Sequence, residues 1–182
     1  MTHVFSLAAL RGERDAAALA GSGVEALAGG PLRDRVHGGW CGAVRRDGVP
    51  LPGPKLAYDH AFVALAASSA VAARVPGAED LLDDALAALD RWFLDQHGRV
   101  VDGYPADLSR PEDYRGANSS MHMVEALLAV GDVRSDPARH ATALGIAEHL
   151  VHDVASGFGH RLPEHYDPDW TPLPDYNADH PD

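Results

Sequence analysis

The sequence predicts an all-α fold in which inner helices are covered by outer ones, as in an α/α toroid. Apolar helical segments alternate three times with amphipathic ones, and the apolar segments begin near residues 2, 56 and 119. Starts at this spacing are typical of a repeated two-helix unit. No strand–helix–strand rhythm runs along the chain, which argues against a parallel sheet.

Three apolar or charge-poor segments are predicted to form the inner helices: Thr2–Leu10, Lys55–Arg74 and Asn118–Val130. The middle segment is apolar on nearly every face, so we expect it to have neighbours on every side. Asn118 or one of the serines after it is expected to cap the third helix. The expected core stripe of that helix consists of Met121, Val124 and Leu128.

The outer helices are predicted over Asp15–Ala28, Glu79–Gln96 and residues 137–154. Acidic residues oppose an apolar stripe in the second of these, as in a helix that lies on a core. Asp136 and Pro137 open the third, because proline is tolerated at the first helical position. The two expected stripes are Leu82, Leu86, Leu89 and Phe93, and Leu144, Ala147, Val151 and Val154.

Short β-hairpins are expected in the loops. Residues 29–54 are rich in glycine and proline, and Trp40–Val44 and Val49–Leu51 flank a turn signal. Arg161–Tyr166 is a further candidate for a short strand.

Composition narrows the function classes. The 182 residues include 27 acidic and 15 basic side chains, giving a formal net charge of -12. Such a field repels phosphate backbones and anionic lipids, so we expect neither nucleic acid nor membrane as a partner. The single cysteine, Cys41, cannot form an internal disulfide and fits a reducing, cytoplasmic setting.

The densest group of candidate functional residues is Asn118, His122 and Glu125, which share a helix face at spacings of four and three. An amide, an imidazole and a carboxylate can converge there on a small polar ligand. A capping asparagine beside a surface His–Glu pair explains the same spacing, and spacing alone favours that simpler interpretation. No metal site is expected, since His149 and His152 lack a third ligand.

Several segments together resemble the N-acylglucosamine 2-epimerase superfamily. They are MTHVFSLAALRG, HGGW with RRDG nearby, KLAYDHAFVALAASSA, DYRGANSSMHMVEALLAVGDV and LPEHYDPDWTPLPDYNADHP. The combination of N-x-x-M-H-x-x-E with E-H-Y-D-x-x-W is specific, and the match runs through essentially the whole chain. The branch most resembled is that of bacterial ketol-isomerases of mannose-type or sulfoquinovose-type sugars.

The resemblance implies an (α/α)6 barrel of twelve helices with a hexose in its central pocket. Proton transfer between C1 and C2 through an enediol would isomerise an aldose to a ketose or epimerise C2, with no metal or redox cofactor. Tyr58, Asn118 and His122 match positions that contact the sugar, and His60 and Glu125 are candidates for supporting them. A sugar is the implied small-molecule partner, and a homo-oligomer is compatible with the resemblance.

Two departures lead us to expect a single partial domain over residues 1–182, truncated at both ends. Relatives carry an arginine directly before Met-Thr-His, where this chain begins with Met1. They also continue into a Gly-His-x-x-Glu-Trp motif with a principal catalytic histidine, so the catalytic residues are expected beyond Asp182.

The sequence leaves two alternatives open. One is a non-catalytic sugar-binding half-module. The other is a helical-toroid glycoside hydrolase that draws paired carboxylates from Asp113, Glu125 and Glu164.

Overall fold

The computed structural model describes residues 1–177, and within them the helices follow one another in pairs. Short strands lie between the helices. The helices are α1 (Thr2–Leu10), α2 (Ala16–Gly29), α3 (Ala57–Ala72), α4 (Ala78–Ala88), α5 (Ala117–Arg134), α6 (Pro137–Glu148) and the one-turn α7 (Pro174–Asn177). Single π-helical turns extend α4 over Leu89–Phe93 and α6 over His149–Val154, and a 3-10 turn follows at Ala155–Phe158.

Helix α3 lies at the centre of the molecule. It packs against α1 on one side and α5 on the other, while α2, α4 and α6 cover α1, α3 and α5. Most of the α3 residues are buried, as expected for a helix that is apolar on nearly every face. The predicted alternation of inner and outer helices is therefore confirmed.

The predicted core stripe of α4 is correct, since Leu82, Leu89 and Phe93 are fully buried. The stripes predicted for α5 and α6 are only partly correct: Val154 is buried and Val124 packs against the core, but the other large residues of the two stripes do not. The buried residues are instead Met123, Leu127 and Val130 on α5, and Ala143, Ile146 and Leu150 on α6. Met121, Leu128, Leu144 and Val151 are exposed.

The error has a physical cause. Helices α5 and α6 carry apolar residues on two faces, and only one of these faces is buried. Periodicity shows that a face is apolar, but it does not show which of two apolar faces is covered.

Two small antiparallel sheets close the helix pairs into units. Strand β1 (Lys55–Leu56) pairs with β2 (Gly103–Tyr104), and β3 (Arg115–Gly116) pairs with β4 (His165–Tyr166). Each sheet joins the residues just before an inner helix to those that follow its outer helix. The chain thus contains a 55–104 unit and a 115–166 unit with the same register.

The predicted hairpins are also present as isolated bridges, including one between Val44 and Pro50 in the loop before β1. The two sheets themselves are not hairpins, because about fifty residues separate their strands. Sequence periodicity gives no signal for two-residue strands that pair at this distance.

Asp136 and Pro137 open α6 as predicted, and the Asp136 carboxylate caps the helix by accepting the Ala138 N–H at 2.9 Å. Helix α5 departs from prediction, because it begins at Ala117 and Asn118 lies inside its first turn without capping it. Within residues 1–177, no helix combines the length and apolar character that crossing a membrane would require.

The long loop over residues 31–54 is held by a buried ion pair. Lys55, the chain's single lysine, is 1% exposed and donates to Asp34 at 2.6 Å and to the Gly38 carbonyl. The Lys55 ammonium and the backbone N–H groups of Val36 and His37 hold the pKa of Asp34 well below its usual range, against the effect of burial. The loop is therefore fixed where the chain enters the 55–104 unit.

Candidate functional site

An aromatic cluster joins the first two turns of α3 and α5. The rings of Tyr58 and His122 are perpendicular with centroids 5.1 Å apart, and the Phe62 ring lies 4.6 Å from His122 and 4.9 Å from Tyr58. Phe62 is 36% exposed, so the cluster is open to solvent on one side. Rings exposed in this way can pack against the apolar face of a sugar while a neighbouring imidazole bonds to its hydroxyls.

His122 is oriented from within its own helix. Its Nδ1 lies 3.0 Å from Oε2 of Glu125, one turn further on. With Nδ1–H donated to the carboxylate, Nε2 becomes the nitrogen that can accept a proton or hydrogen bond. The predicted His122–Glu125 pairing is present in the structure.

Asn118 lies one turn before His122, but it lines a different depression. A groove of about 340 Å³ between α5 and α6 is lined by Asn118, Met121, Leu150 and Glu164, with other apolar side chains around them. Tyr58 and His122 do not line that groove. The structure therefore brings Tyr58 and His122 together, and the convergence of Asn118 on the same ligand stays a prediction.

His60 belongs to the core beneath the 31–54 loop. It is 1% exposed; its Nε2 accepts the Trp40 N–H at 3.0 Å and its Nδ1 bonds to the Leu56 carbonyl at 2.7 Å. Burial lowers its pKa to about 4, so the ring is neutral at physiological pH. Because both nitrogens are used internally, His60 anchors the loop.

The start of α5 is held by two carboxylates from other parts of the chain. Asp102, which precedes β2, accepts the Gly116 N–H with Oδ2 and the Ser119 hydroxyl with Oδ1 at 2.6 Å. Burial raises the pKa of Asp102, against the hydrogen bonds from Ser119 and Gly116, which lower it. The backbone carbonyl of Asp102 also accepts the Ala57 N–H at 2.7 Å, where α3 begins.

Glu164 is the second of these carboxylates. Its backbone carbonyl accepts the Ala117 N–H at 2.9 Å, and its Oε1 accepts the Asn118 N–H at 3.0 Å. Carboxylates at a helix N-terminus satisfy N–H groups that have no partner inside the helix and complement its dipole. The E-H-Y-D segment thus supports α5 from β4, where His165 also hydrogen-bonds to Tyr114 at 2.6 Å.

Sequence reasoning missed Phe62 and Asp102. Phe62 was expected to be one more apolar residue of a buried helix. Aligning the starts of the two units, K-L-A-Y-D-H-A-F with R-G-A-N-S-S-M-H, places Phe62 opposite His122 and Tyr58 opposite Asn118. That alignment is the signal that would have found Phe62; the two roles of Asp102 carry no local signal.

Among the residues that the structure describes, no three His, Cys, Asp or Glu side chains lie close enough together to hold a metal ion. The chemistry available here is that of an imidazole, a phenol, carboxylates and an aromatic surface.

Paired helices, with the inner ones side by side and the outer ones covering them, are the architecture of an α/α toroid protein. The model of the N-acylglucosamine 2-epimerase (GlcNAc 2-epimerase) family matches residues 1–181. The chain belongs to this family.

Named relatives agree with this assignment. The chain is 48% identical over 180 residues to a D-mannose isomerase of Thermobifida fusca, a match that covers 98% of this chain and 44% of the relative. It is 44% identical over 182 residues to a D-mannose isomerase of Pseudomonas cannabina pv. alisalensis, covering 100% of this chain and 43% of that protein. The chain thus spans less than half the length of these relatives.

Solved structures confirm the predicted toroid fold. A crystal structure of D-mannose isomerase superimposes with a TM-score of 0.84 at 28% identity, over 97% of this chain and 45% of that one. The cellobiose 2-epimerase of Spirochaeta thermophila gives 0.82 at 22% identity over 94% and 46%, a likeness of fold alone.

Proposed function

We propose that this chain forms part of a sugar isomerase that converts an aldohexose of the D-mannose type to its ketose. The observation that carries the proposal is the cluster of Tyr58, Phe62 and His122 on the first turns of two inner helices. The family assignment and the two D-mannose isomerase relatives support it.

Each group has a task in this proposal. Phe62 and Tyr58 offer ring surface to the apolar face of the sugar, which orients it at modest entropic cost. Nε2 of His122 accepts a hydrogen bond from a sugar hydroxyl, because Glu125 holds the proton on Nδ1. Asn118, exposed one turn earlier, is proposed as a further sugar contact.

The reaction itself would be a proton transfer from C2 to C1 of the open-chain sugar through an enediol. The groups that carry that proton are expected elsewhere than in residues 1–182, so the chain alone should bind sugar without turning it over. A missing general base typically lowers the rate about 10²–10⁴-fold.

Two measurements test the proposal. D-mannose is titrated into the chain by NMR, with a His122→Ala, Phe62→Ala double variant as control. Turnover is measured in a chimera in which this chain replaces the matching segment of the T. fusca isomerase, following the formation of D-fructose.

Binding that depends on the cluster, together with D-fructose formation by the chimera, supports the proposal. A chimera that folds and binds D-mannose but forms no ketose would favour the sugar-binding half-module. The glycoside hydrolase alternative gains no support, because Glu125 bonds to His122 and Glu164 bonds to the start of α5.

Further parts of the proposal concern the setting of the protein. We propose that residues 1–182 act as one part of a toroid domain and that the protein is cytoplasmic, as its single cysteine suggests. Self-association is proposed as well, since apolar residues such as Leu7, Met121 and Val151 are exposed.

A further inference from the structure

We propose that Asp102 is the positioning residue that sets the distance between Tyr58 and His122. It is the one residue seen to bond to the start of both helices within residues 1–177. Its carbonyl holds the first residue of α3, Ala57, and its carboxylate holds the first turn of α5 through Ser119.

The bonds of Asp102 lie close to the two rings whose separation it is proposed to set. Tyr58 directly follows Ala57, and His122 lies three residues after Ser119, so each bond is within one turn of a ring in the cluster. Apolar packing holds α3 and α5 side by side, but ridges that pack into grooves tolerate scatter in angle and register. Directional hydrogen bonds at the helix ends remove that freedom along the helix axis.

The environment of Asp102 makes these bonds strong. The residue is 6% exposed, and a carboxylate withdrawn from water makes short, charge-assisted bonds to its donors. Arg115 and Glu164 are the other charged groups that act on it, with opposite effects. The carboxylate thus bonds to residues that start α5, and its backbone directly precedes β2, in the sheet that leads into α3.

The comparison with Glu164 separates the two roles. Glu164 occupies the matching place in the 115–166 unit, and its carbonyl likewise accepts the N–H of the first residue of an inner helix. Its carboxylate bonds to Asn118 on the helix that its own carbonyl holds. Asp102 belongs to the 55–104 unit, but its carboxylate bonds to the start of α5 in the 115–166 unit.

The test uses the full 182-residue chain and four variants. Asp102→Ala removes both side-chain bonds. Asp102→Asn should restore them, because its amide oxygen can accept from Gly116 and its NH₂ can donate to the Ser119 hydroxyl. Ser119→Ala removes one bond, and Asp136→Ala removes a similar helix cap far from the cluster.

The primary readout is the NMR contact between the Tyr58 and His122 rings, seen as a nuclear Overhauser effect and as a ring-current shift of the His122 protons. Asp102→Ala should lose the contact, Ser119→Ala should weaken it, and Asp102→Asn and Asp136→Ala should keep it. A folded Asp102→Ala chain with the wild-type contact would overturn the proposal. If Asp102→Ala does not fold, wild-type His122 resonances in Ser119→Ala would overturn it.

The consequence for sugar binding rests on the proposed function and is measured separately. The affinity for D-mannose should fall about tenfold or more in Asp102→Ala, since small misplacements of binding groups have large effects. It should recover in Asp102→Asn and stay unchanged in Asp136→Ala. If the wild-type chain does not bind D-mannose, the proposed function fails, while the ring contact still decides the role of Asp102.

Discussion

The 55–104 and 115–166 units share a scaffold but differ in what the fourth side chain of the inner helix holds in place. In both, the side chain at the fourth helical position bonds back to the carbonyl four residues earlier, His60 to Leu56 and Ser120 to Gly116. The Ser120 hydroxyl forms this one hydrogen bond within its own unit. The imidazole has a second nitrogen, which also accepts the Trp40 N–H and so fastens a long loop.

The difference shows how one repeated backbone scaffold can carry different side chains in its two copies. Repeated backbone hydrogen bonds place the second and sixth residues of each inner helix at matching positions in the two units. The first unit carries Tyr58 and Phe62 there, and the second carries Asn118 and His122. The scaffold is therefore duplicated, while the chemistry varies at two positions per unit.

A large loss of stability is expected at the loop anchor of the first unit. Lys55→Met leaves the Asp34 carboxylate without its buried partner, which should lower the free energy of unfolding by about 3 kcal/mol. Urea denaturation measures it. Arg45→Met, which breaks an exposed pair with Asp47, should change stability by less than about 1 kcal/mol. Equal losses in the two variants would show that the buried Lys55–Asp34 pair stabilises the fold no more than an exposed pair does.

His60 should make stability depend on pH in a defined window. Its pKa is about 4 in the folded chain and about 6.5 when unfolded, so the unfolded chain binds the proton first as the pH falls. The stabilisation is complete above about pH 6.5 and is lost towards pH 4, by up to about 3 kcal/mol.

Replacing the imidazole tests this window. His60→Gln keeps a donor and an acceptor but does not titrate, so the difference in stability between the two proteins should change across the window. The exposed His97→Gln serves as control. Parallel stability–pH curves for wild type and His60→Gln would refute the assignment.

Phe62 and Phe93 should respond in opposite ways. Phe62→Ala removes a partly exposed ring and should weaken D-mannose binding by about 1 kcal/mol with little loss of stability. Phe93→Ala empties a fully buried position and should destabilise the fold by about 3–5 kcal/mol. Isothermal titration and thermal unfolding separate the two, and a Phe62→Ala chain with unchanged affinity would remove Phe62 from the site.

The smallest effect is expected at Glu164. Glu164→Gln keeps an acceptor for the Asn118 N–H and removes the favourable charge at the start of α5, which contributes about 0.3–1 kcal/mol. The loss should shrink as salt is added, because salt screens a partly exposed charge. A loss of several kcal/mol that is independent of salt would mean that the charge itself is needed to start α5.

Periodicity and stop signals were sufficient to predict every long helix and the inner–outer alternation. They could not choose between two apolar faces, which is why Met121 and Leu128 were assigned to the core of α5. Nor could they foresee β1 and β2, which are two residues long and pair across the whole unit.

The candidate site was predictable in part. The spacing of His122 and Glu125 and the family resemblance gave residues that the structure brings together with Tyr58. Asp102 could not be found this way, because its three partners lie 14 to 45 residues away and only the folded chain brings them together.

The burial of Lys55 has a practical consequence for chemical labelling. Because it is the chain's single lysine and is 1% exposed, reagents that acylate amines should reach no lysine side chain while the chain is folded. The ammonium becomes reactive only when the 31–54 loop opens. The rate of Lys55 acylation, followed by mass spectrometry, would therefore measure how often the loop opens.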